Sequence, residues 1–279
     1  MNQPAAGLGQ AHVTSTANGV LTRGDAIDFL GTLPDAGVRL IMSSLWFTGP
    51  YTITSDDPAC PRFGDWFLRF MKEFDRVLLP DGSVVLEMGC TWADDRPVRT
   101  IQNYAALSRL LGEGGWHLLQ EFYWYNPQLL YARDTWVDEQ RIRLHDSVST
   151  LYWLSRTPDV PVDTTKVRQY QSSLTHPFGN LLTMGDSYTD FRYLDRCAAE
   201  GVLPDIDRYP VALPTYFIEL LTSEGDLVVD PCVGIGSTAI AAELTGRKWA
   251  CNDMSEKVID VARERIDDLV TGEATRPVS

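Results

Sequence analysis

The sequence predicts a doubly wound α/β fold with a mostly parallel sheet, and three observations carry that prediction. Short apolar runs alternate with stretches of helical periodicity, the pattern of strands joined by crossover helices. One run, Leu227-Val228-Val229-Asp230, is continuously apolar up to its carboxylate, as suits a strand covered on both faces. It leads through Pro231-Cys232-Val233 into Gly234-Ile235-Gly236-Ser237-Thr238 and then an apolar helix. Such a turn lies outside the carboxyl end of a strand, where open α/β sheets hold their ligands.

The remaining elements follow in order. Residues 1–16 carry no period and read as a flexible tail, residues 17–270 as one domain, and 271–279 as a second tail. Gly24-Asp25 opens the segment to Leu30, and Leu33-Pro34-Asp35-Ala36-Gly37 is a turn. A short buried strand, Val38 to Met42, delivers Ser43-Ser44-Leu45-Trp46-Phe47 to its carboxyl end. Trp66, Phe67, Phe70, Phe74 and Val77 have helical spacing over Asp65–Val77; Pro80-Asp81-Gly82 ends that helix and Ser83–Met88 is a strand. Asn103–Leu111 reads as helix, Trp116–Pro127 as a strand entering an aromatic loop, and Val148–Ser155 as another strand. Residues 157–190 are irregular, and a short substrate-recognition insert is expected around 127–190. Leu213–Leu221 is the helix before the Asp230 strand, and Ser237 and Thr238 are expected to cap the helix Ala239–Thr245. Gly246–Asp253 is a strand ending in an acid, and Ser255 reads as the cap of an amphipathic helix to Leu269.

Composition sets the bounds. A chain of 279 residues with 44% hydrophobic content and 8 Trp is globular with a sizeable core. Its apolar runs fall short of the roughly 18 residues of a membrane span, and no signal peptide is seen. The 5 cysteines are scattered without metal-ligand spacing, so a reducing cytoplasm and no metal are expected. The formal net charge of −14 opposes binding to a phosphate backbone. Arg133, Arg141, Arg143, Arg156, Lys166 and Arg168 are interleaved with acids and read as a mixed, solvated surface. His117, His145 and His176 read as ordinary histidines, and Glu87 and Glu121 as candidates to hold a substrate ammonium.

The turn lacks the third glycine of a dinucleotide fingerprint. Asp-Pro-x-x-Gly-x-Gly-Ser-Thr instead resembles the S-adenosylmethionine (SAM) loop of the amino-methyltransferases that modify exocyclic nitrogens of DNA bases. The likeness runs from about residue 22 to residue 268 and is greatest to the N4-cytosine branch. It implies a seven-stranded class I SAM-methyltransferase sheet with circularly permuted motifs, SAM as cofactor and S-adenosylhomocysteine (SAH) as product. The implied cofactor contacts are Asp25 (to the adenine amino group), Tyr209, Pro210, Asp230, Pro231, Cys232, Gly234, Gly236, Ser237, Thr238 and Asp253 (to the ribose hydroxyls). Asn180-Leu181-Leu182 and Arg208-Tyr209-Pro210 resemble the segment closing over the methionine end. Phe122 to Pro127 is similar to the family's target-pocket segment, which implies substrate contacts from Trp124, Tyr125 and Asn126.

The catalytic loop departs from the family. Where the pattern is Ser/Asp-Pro-Pro-aromatic, this chain has Ser44-Leu45-Trp46-Phe47. Ser44 and the Leu45 carbonyl retain acceptors for an amino group and Phe47 a stacking face, while Trp46 reshapes the pocket. Pro204-Asp205-Ile206-Asp207 replaces a His-Pro-Ala, and the insert at Thr157–Gly179 is short. With the net charge, these departures favour a small aromatic, heterocyclic or nucleobase-like amine as acceptor for a monomer or homodimer, and make duplex DNA the lesser partner. The alternatives are a DNA N4-cytosine or N6-adenine methyltransferase of restriction-modification type, and a SAM-binding protein without catalysis.

Overall fold

The computed structural model describes residues 10–45, 61–89, 96–131, 134–170, 179–205 and 208–272. Trp46, Phe47, Arg133, His176, Ile206 and Asp207 lie outside them. In chain order the elements are β1 (Ala11–Ser15), β2 (Gly19–Arg23), α1 (Ala26–Gly31), β3 (Val38–Ser44), α2 (Pro61–Val77), β4 (Leu78–Glu87), α3 (Gln102–Glu113), β5 (His117–Tyr125), β6 (Val148–Ser155), β7 (Leu181–Leu182), α4 (Tyr188–Glu200), α5 (Ala212–Leu221), β8 (Leu227–Asp230), α6 (Ser237–Leu244), β9 (Lys248–Asp253) and α7 (Glu256–Val270).

The described strands form one sheet in the order β1-β2-β9-β8-β3-β4-β6-β5-β7. Nine strands replace the expected seven, because short edge strands extend it at both ends. One of them, β1, lies inside the expected N-terminal tail and pairs antiparallel with β2. The run β2-β9-β8-β3-β4 is parallel throughout; β6 is antiparallel to both its neighbours. Because β6 reverses direction between β4 and β5, β5 again runs with the parallel set.

Both faces of the sheet are covered, which accounts for the continuous apolar runs. One face buries Leu40, Val85, Val228 and Trp249 with Phe217 and Ile240 from α5 and α6. The other buries Ile41, Leu86 and Val229 with Phe67, Phe70 and Phe74 from α2. Alternate residues of one strand serve opposite faces, as period-2 geometry requires. Pro80-Asp81-Gly82 does not precede a strand; it is a bulge within β4, where the partner of Val38 is Leu78 and the partner of Leu40 is Ser83. The stretch read as irregular contains the start of α4, whose cap is a Ser187/Asp190 capping box.

Candidate active site

Register places the polar residues in one row. Ser44 sits opposite Glu87, Ile41 opposite Val229, Asp230 opposite Cys251, and Arg23 opposite Asp253. The carboxyl ends of five adjacent parallel strands therefore carry Asp25, Asp253, Asp230, Ser44 and Glu87 along one edge of the sheet.

Asp230 is fully buried and accepts four bonds: from Ser43 Oγ (2.7 Å), Thr238 Oγ1 (2.7 Å), Tyr209 OH (3.1 Å) and the Cys232 amide (3.1 Å). Burial nonetheless pushes its pKa up to about 6 against the lowering effect of those donors. Its oxygens are occupied by the protein, so Asp230 shapes the turn and does not itself face a ligand. Ser237 Oγ likewise donates to the Tyr209 carbonyl (2.9 Å), and Tyr209 OH lies 2.7 Å from Thr238 Oγ1. Ser237 and Thr238 therefore do not cap α6. The cap residue is Gly236, left-handed at φ 90 and without a side-chain acceptor, so the N–H groups at this helix end face the turn.

The two glycines do different work. A Cβ on Gly236 would lie 3.1 Å from the Ala262 Cβ of α7, so this glycine allows helix packing as well as positive φ. A Cβ on Gly234 (φ 54) would meet no protein atom within 4 Å; it would project into the space beside the turn. Asp253 borders that space. Its Oδ2 accepts from the Gly234 amide and its Oδ1 from the Ser255 amide, both at 2.9 Å, and burial raises its pKa. Each oxygen retains a lone pair, which suits a pair of hydroxyls. Asp25 caps α1 through Oδ1, and Gly24 is tied to β9 by its amide to the Asp253 carbonyl (3.1 Å). A cradle of bare backbone, a helix N-terminus and two neighbouring carboxylates fits a nucleoside-bearing cofactor.

An ionic brace missed in the sequence holds the Arg208-Tyr209-Pro210 segment. Arg208 Nη1 reaches Asp186 (2.7 Å) and Asp190 (3.6 Å), and Arg265 joins Asp190 (2.9 Å) to the Ile235 carbonyl (3.0 Å). Asp190 Oδ2 also accepts from the Val211 amide (3.0 Å) beside Pro210. Pro231 is buried, and its carbonyl accepts from Asn252 Nδ2 (3.3 Å). Partners so far apart in the chain leave no short-range signal.

At the other end of the row, Ser44 Oγ donates to Glu87 Oε2 at 2.6 Å, with Glu87 buried. The Leu45 amide donates to the Glu87 carbonyl (3.2 Å), a bond that proline at this position cannot make. The pairing of β3 with β4 thus runs one residue further, and a hydrogen bond fixes backbone that prolines fix in the family pattern. Of the expected target-pocket residues, Trp124 is buried and donates to the Met184 carbonyl (3.2 Å), and Asn126 is buried against Ser149. Both are held inside the protein; Tyr125, at 41%, is the exposed member. Period 2 places Trp124 and Tyr125 on opposite faces of β5.

A glycine turn at the carboxyl end of one strand, backed by an acid on the next, is the arrangement of a class I methyltransferase. The sequence model of the DNA methylase (N6/N4) family matches residues 50–264, and the chain belongs to that family. It is a SAM-dependent methyltransferase. The Type II methyltransferase M.PvuII of Proteus hauseri is 30% identical over 94% of this chain and 90% of its own length. The solved structure of a PvuII DNA methyltransferase (cytosine-N4-specific) superposes with a TM-score of 0.80 at 31% identity, covering 96% of both chains. A solved M1.HpyAVI–SAM complex shares the fold at 14% identity, with a TM-score of 0.54 over 89% of this chain and 99% of that one. These findings overturn the expectation of a small-molecule acceptor with duplex DNA the lesser partner. The net charge misled because it constrains the field of the whole molecule and not the chemistry of one face.

Proposed function

We propose that this enzyme transfers a methyl group from SAM to the exocyclic N4 of cytosine in duplex DNA, as the methyltransferase half of a restriction-modification pair. The observation that carries the chemistry is the 2.6 Å bond from Ser44 to buried Glu87. It spends the one proton of the hydroxyl on the carboxylate and turns the Ser44 lone pairs to an incoming amino group. The Leu45 carbonyl supplies a second acceptor next in the chain. An amine that donates both hydrogens to such acceptors has its own lone pair directed away from them, toward the methyl donor. The bound cofactor supplies an activated methyl group. Once the nitrogen is methylated its excess proton passes to Ser44 Oγ, whose own proton Glu87 Oε2 is placed to take.

The fit of the turn supports seating the cofactor there, with the backbone at Gly234 and the N-terminus of α6 toward it and Asp253 and Asp25 on its flanks. N4-cytosine is favoured over N6-adenine by the likeness to the cytosine-N4-specific structure over 96% of the chain. The test is tritiated methyl transfer to unmethylated genomic DNA, followed by nucleoside digestion and mass spectrometry. N4-methylcytosine is expected. N6-methyladenine as the product would replace the base assignment, and absence of label in DNA would sink the reading.

A further inference from the structure

Helix α7 carries a residue that its amphipathic pattern does not call for. Arg265 lies on the inward side with Ala262 and Ile266 and is buried with them. Taking a guanidinium out of water is costly, and apolar residues of similar volume commonly serve stability as well or better in such places. Nor is the side chain fully satisfied: Arg265 Nε is buried without a hydrogen-bond partner among the described residues. Its other two nitrogens have specific uses. Nη2 pairs with Asp190 of α4 (2.9 Å) and Nη1 donates to the Ile235 carbonyl (3.0 Å), with the guanidinium 5.3 Å from the centre of the Tyr193 ring. Asp190 is fixed in turn, since Oδ2 accepts from the Ser187 amide (2.8 Å), Ser187 Oγ (2.6 Å) and the Val211 amide (3.0 Å). The arginine fork is thus aimed from a fixed base at one carbonyl of the glycine turn.

That carbonyl is the one whose direction the local chain leaves open. Ile235 stands between Gly234 (φ 54) and Gly236 (φ 90). Glycine accepts φ of either sign, so sterics do not decide which way the Ile235–Gly236 peptide plane faces. Two hydrogen bonds decide it: the Gly236 amide donates to the Val233 carbonyl (3.0 Å), and the Ile235 carbonyl accepts from Arg265. Turned over, the plane would point its oxygen away from α7 and its N–H toward it. The dipole presented by the turn beside the N-terminus of α6 would then be reversed. A second arginine, Arg196, also joins α4 to α7, but its partners Glu264 and Asp268 both lie on α7 and it reaches no part of the turn.

Resting on the reading that seats the cofactor at this turn, we propose that Arg265 is a positioning residue for SAM: by holding the Ile235 carbonyl toward α7, it sets the orientation of the backbone that the cofactor meets. Arg265 touches no ligand and acts only through that carbonyl. Asp190 aims the fork, and the network joining them stretches from α4 to the glycine turn 45 residues further along the chain.

The experiment is SAH calorimetry on the parent, Arg265→Met, Arg265→Lys, Arg196→Met and Gly234→Ala, each at a temperature where urea denaturation shows it folded. Arg265→Met fills a similar volume but donates nothing, and should weaken SAH by about tenfold or more, the usual scale for a hydrogen bond from a charged group. Arg265→Lys keeps a cation beside Asp190 but has one nitrogen where the fork has two. It should hold stability closer to the parent and still weaken SAH by about threefold or more. Arg196→Met should lower the urea midpoint and bind SAH within about twofold of the parent. In tritiated transfer to genomic DNA, the Arg265 variants should raise KM for SAM by the same factor and keep kcat, as a contact serving cofactor binding requires. Parental SAH affinity in the folded Arg265 variants, with Gly234→Ala weakened, overturns the positioning role alone. Equal losses in Arg265→Met and Arg196→Met also overturn it, because the effect then belongs to helix packing. Parental affinity in Gly234→Ala as well removes the cofactor from the turn, and both readings fall. SAH binding involves no acceptor, so the calorimetry is decided independently of which base is methylated.

Discussion

Two buried carboxylates two strands apart show how differently the two halves of the site are made. Asp230, under the glycine turn, receives four donors, all from the protein's own walls. Glu87, equally enclosed, receives the hydroxyl of Ser44, a side chain only partly buried at the sheet edge. The first carboxylate is architecture: it locks the turn to β3, to α6 and to the Tyr209 segment. In the proposed reaction the second is chemistry at one remove, acting on a substrate only through the hydroxyl it holds. Similar burial and hydrogen bonding thus produce opposite sensitivities, one of folding and the other of rate.

Asp230→Ala attacks the architectural half and should have the largest effect. It leaves three hydroxyls and an amide buried without their acceptor, at about 1–3 kcal/mol for each group that finds no other partner. A loss of roughly 3 kcal/mol or more is expected, read as a fall in the urea midpoint with SAH binding lost alongside. A variant of parental stability would remove Asp230 from its place as the hub.

Glu87→Gln attacks the other half. The amide oxygen still accepts from Ser44, but the charge that polarises the hydroxyl is gone. Single-turnover methyl transfer should slow by about 10²-fold, within the usual range for proton-handling groups, with stability and SAH affinity little changed. An unchanged rate would reduce the Ser44–Glu87 bond to a structural contact, and lost SAH affinity would erase the division between the halves.

Asp253→Ala sharpens the comparison within the cofactor half. SAH affinity should fall by about 1.5–3 kcal/mol by calorimetry, as expected for bonds to a charged acceptor. Because Asp253 also holds the Gly234 amide, the paired test is Gly234→Ala. That change leaves the carboxylate in place, strains φ by about 1–2 kcal/mol, and puts a methyl into the cradle. Equal loss of SAH affinity from both variants, without a change of global stability, fits a shared ligand space; undiminished binding by Gly234→Ala would place the ligand elsewhere.

The smallest effect concerns pH. The folded Asp230 carboxyl titrates near 6, above its ordinary value of 3.8. In that interval the folded state holds the extra proton, so this group's contribution to stability is full below about pH 4 and is lost as pH rises through about 6. Asp230→Asn carries no such titration. The stability of the parent relative to this variant should therefore decline between pH 4 and pH 6 in chemical denaturation, and a relative gain over that window would show the pKa to be depressed instead.

Much of this protein is written locally. The Val-Val-Asp run, the glycines at 234 and 236, and the acid closing β9 are legible because period, turn chemistry and capping act over a few residues. Val148–Ser155 is bounded in the sequence as it is in the fold. Where short-range rules conflict with packing, the sequence misleads. Ser237 and Thr238 look like caps, but Tyr209 and Asp230 take their hydroxyls, and Pro80-Asp81-Gly82 looks like a strand boundary but is absorbed as a bulge. Trp124 and Tyr125 share one aromatic motif, yet the sheet sends one inward and the other out.

What only the tertiary structure decided is which distant residues meet. Ser44 and Glu87 are 43 positions apart, and Arg265 and Asp190 are 75 apart. No propensity or motif spacing encodes such pairs; the first exists because parallel strands joined by long crossovers bring their carboxyl ends to one edge, the second because α4 packs against α7. By itself the sequence determined the fold and the cofactor turn, since each rests on neighbours within a turn or a strand. The partner it could not determine, because total charge is a sum over the whole surface and does not report the chemistry of one face.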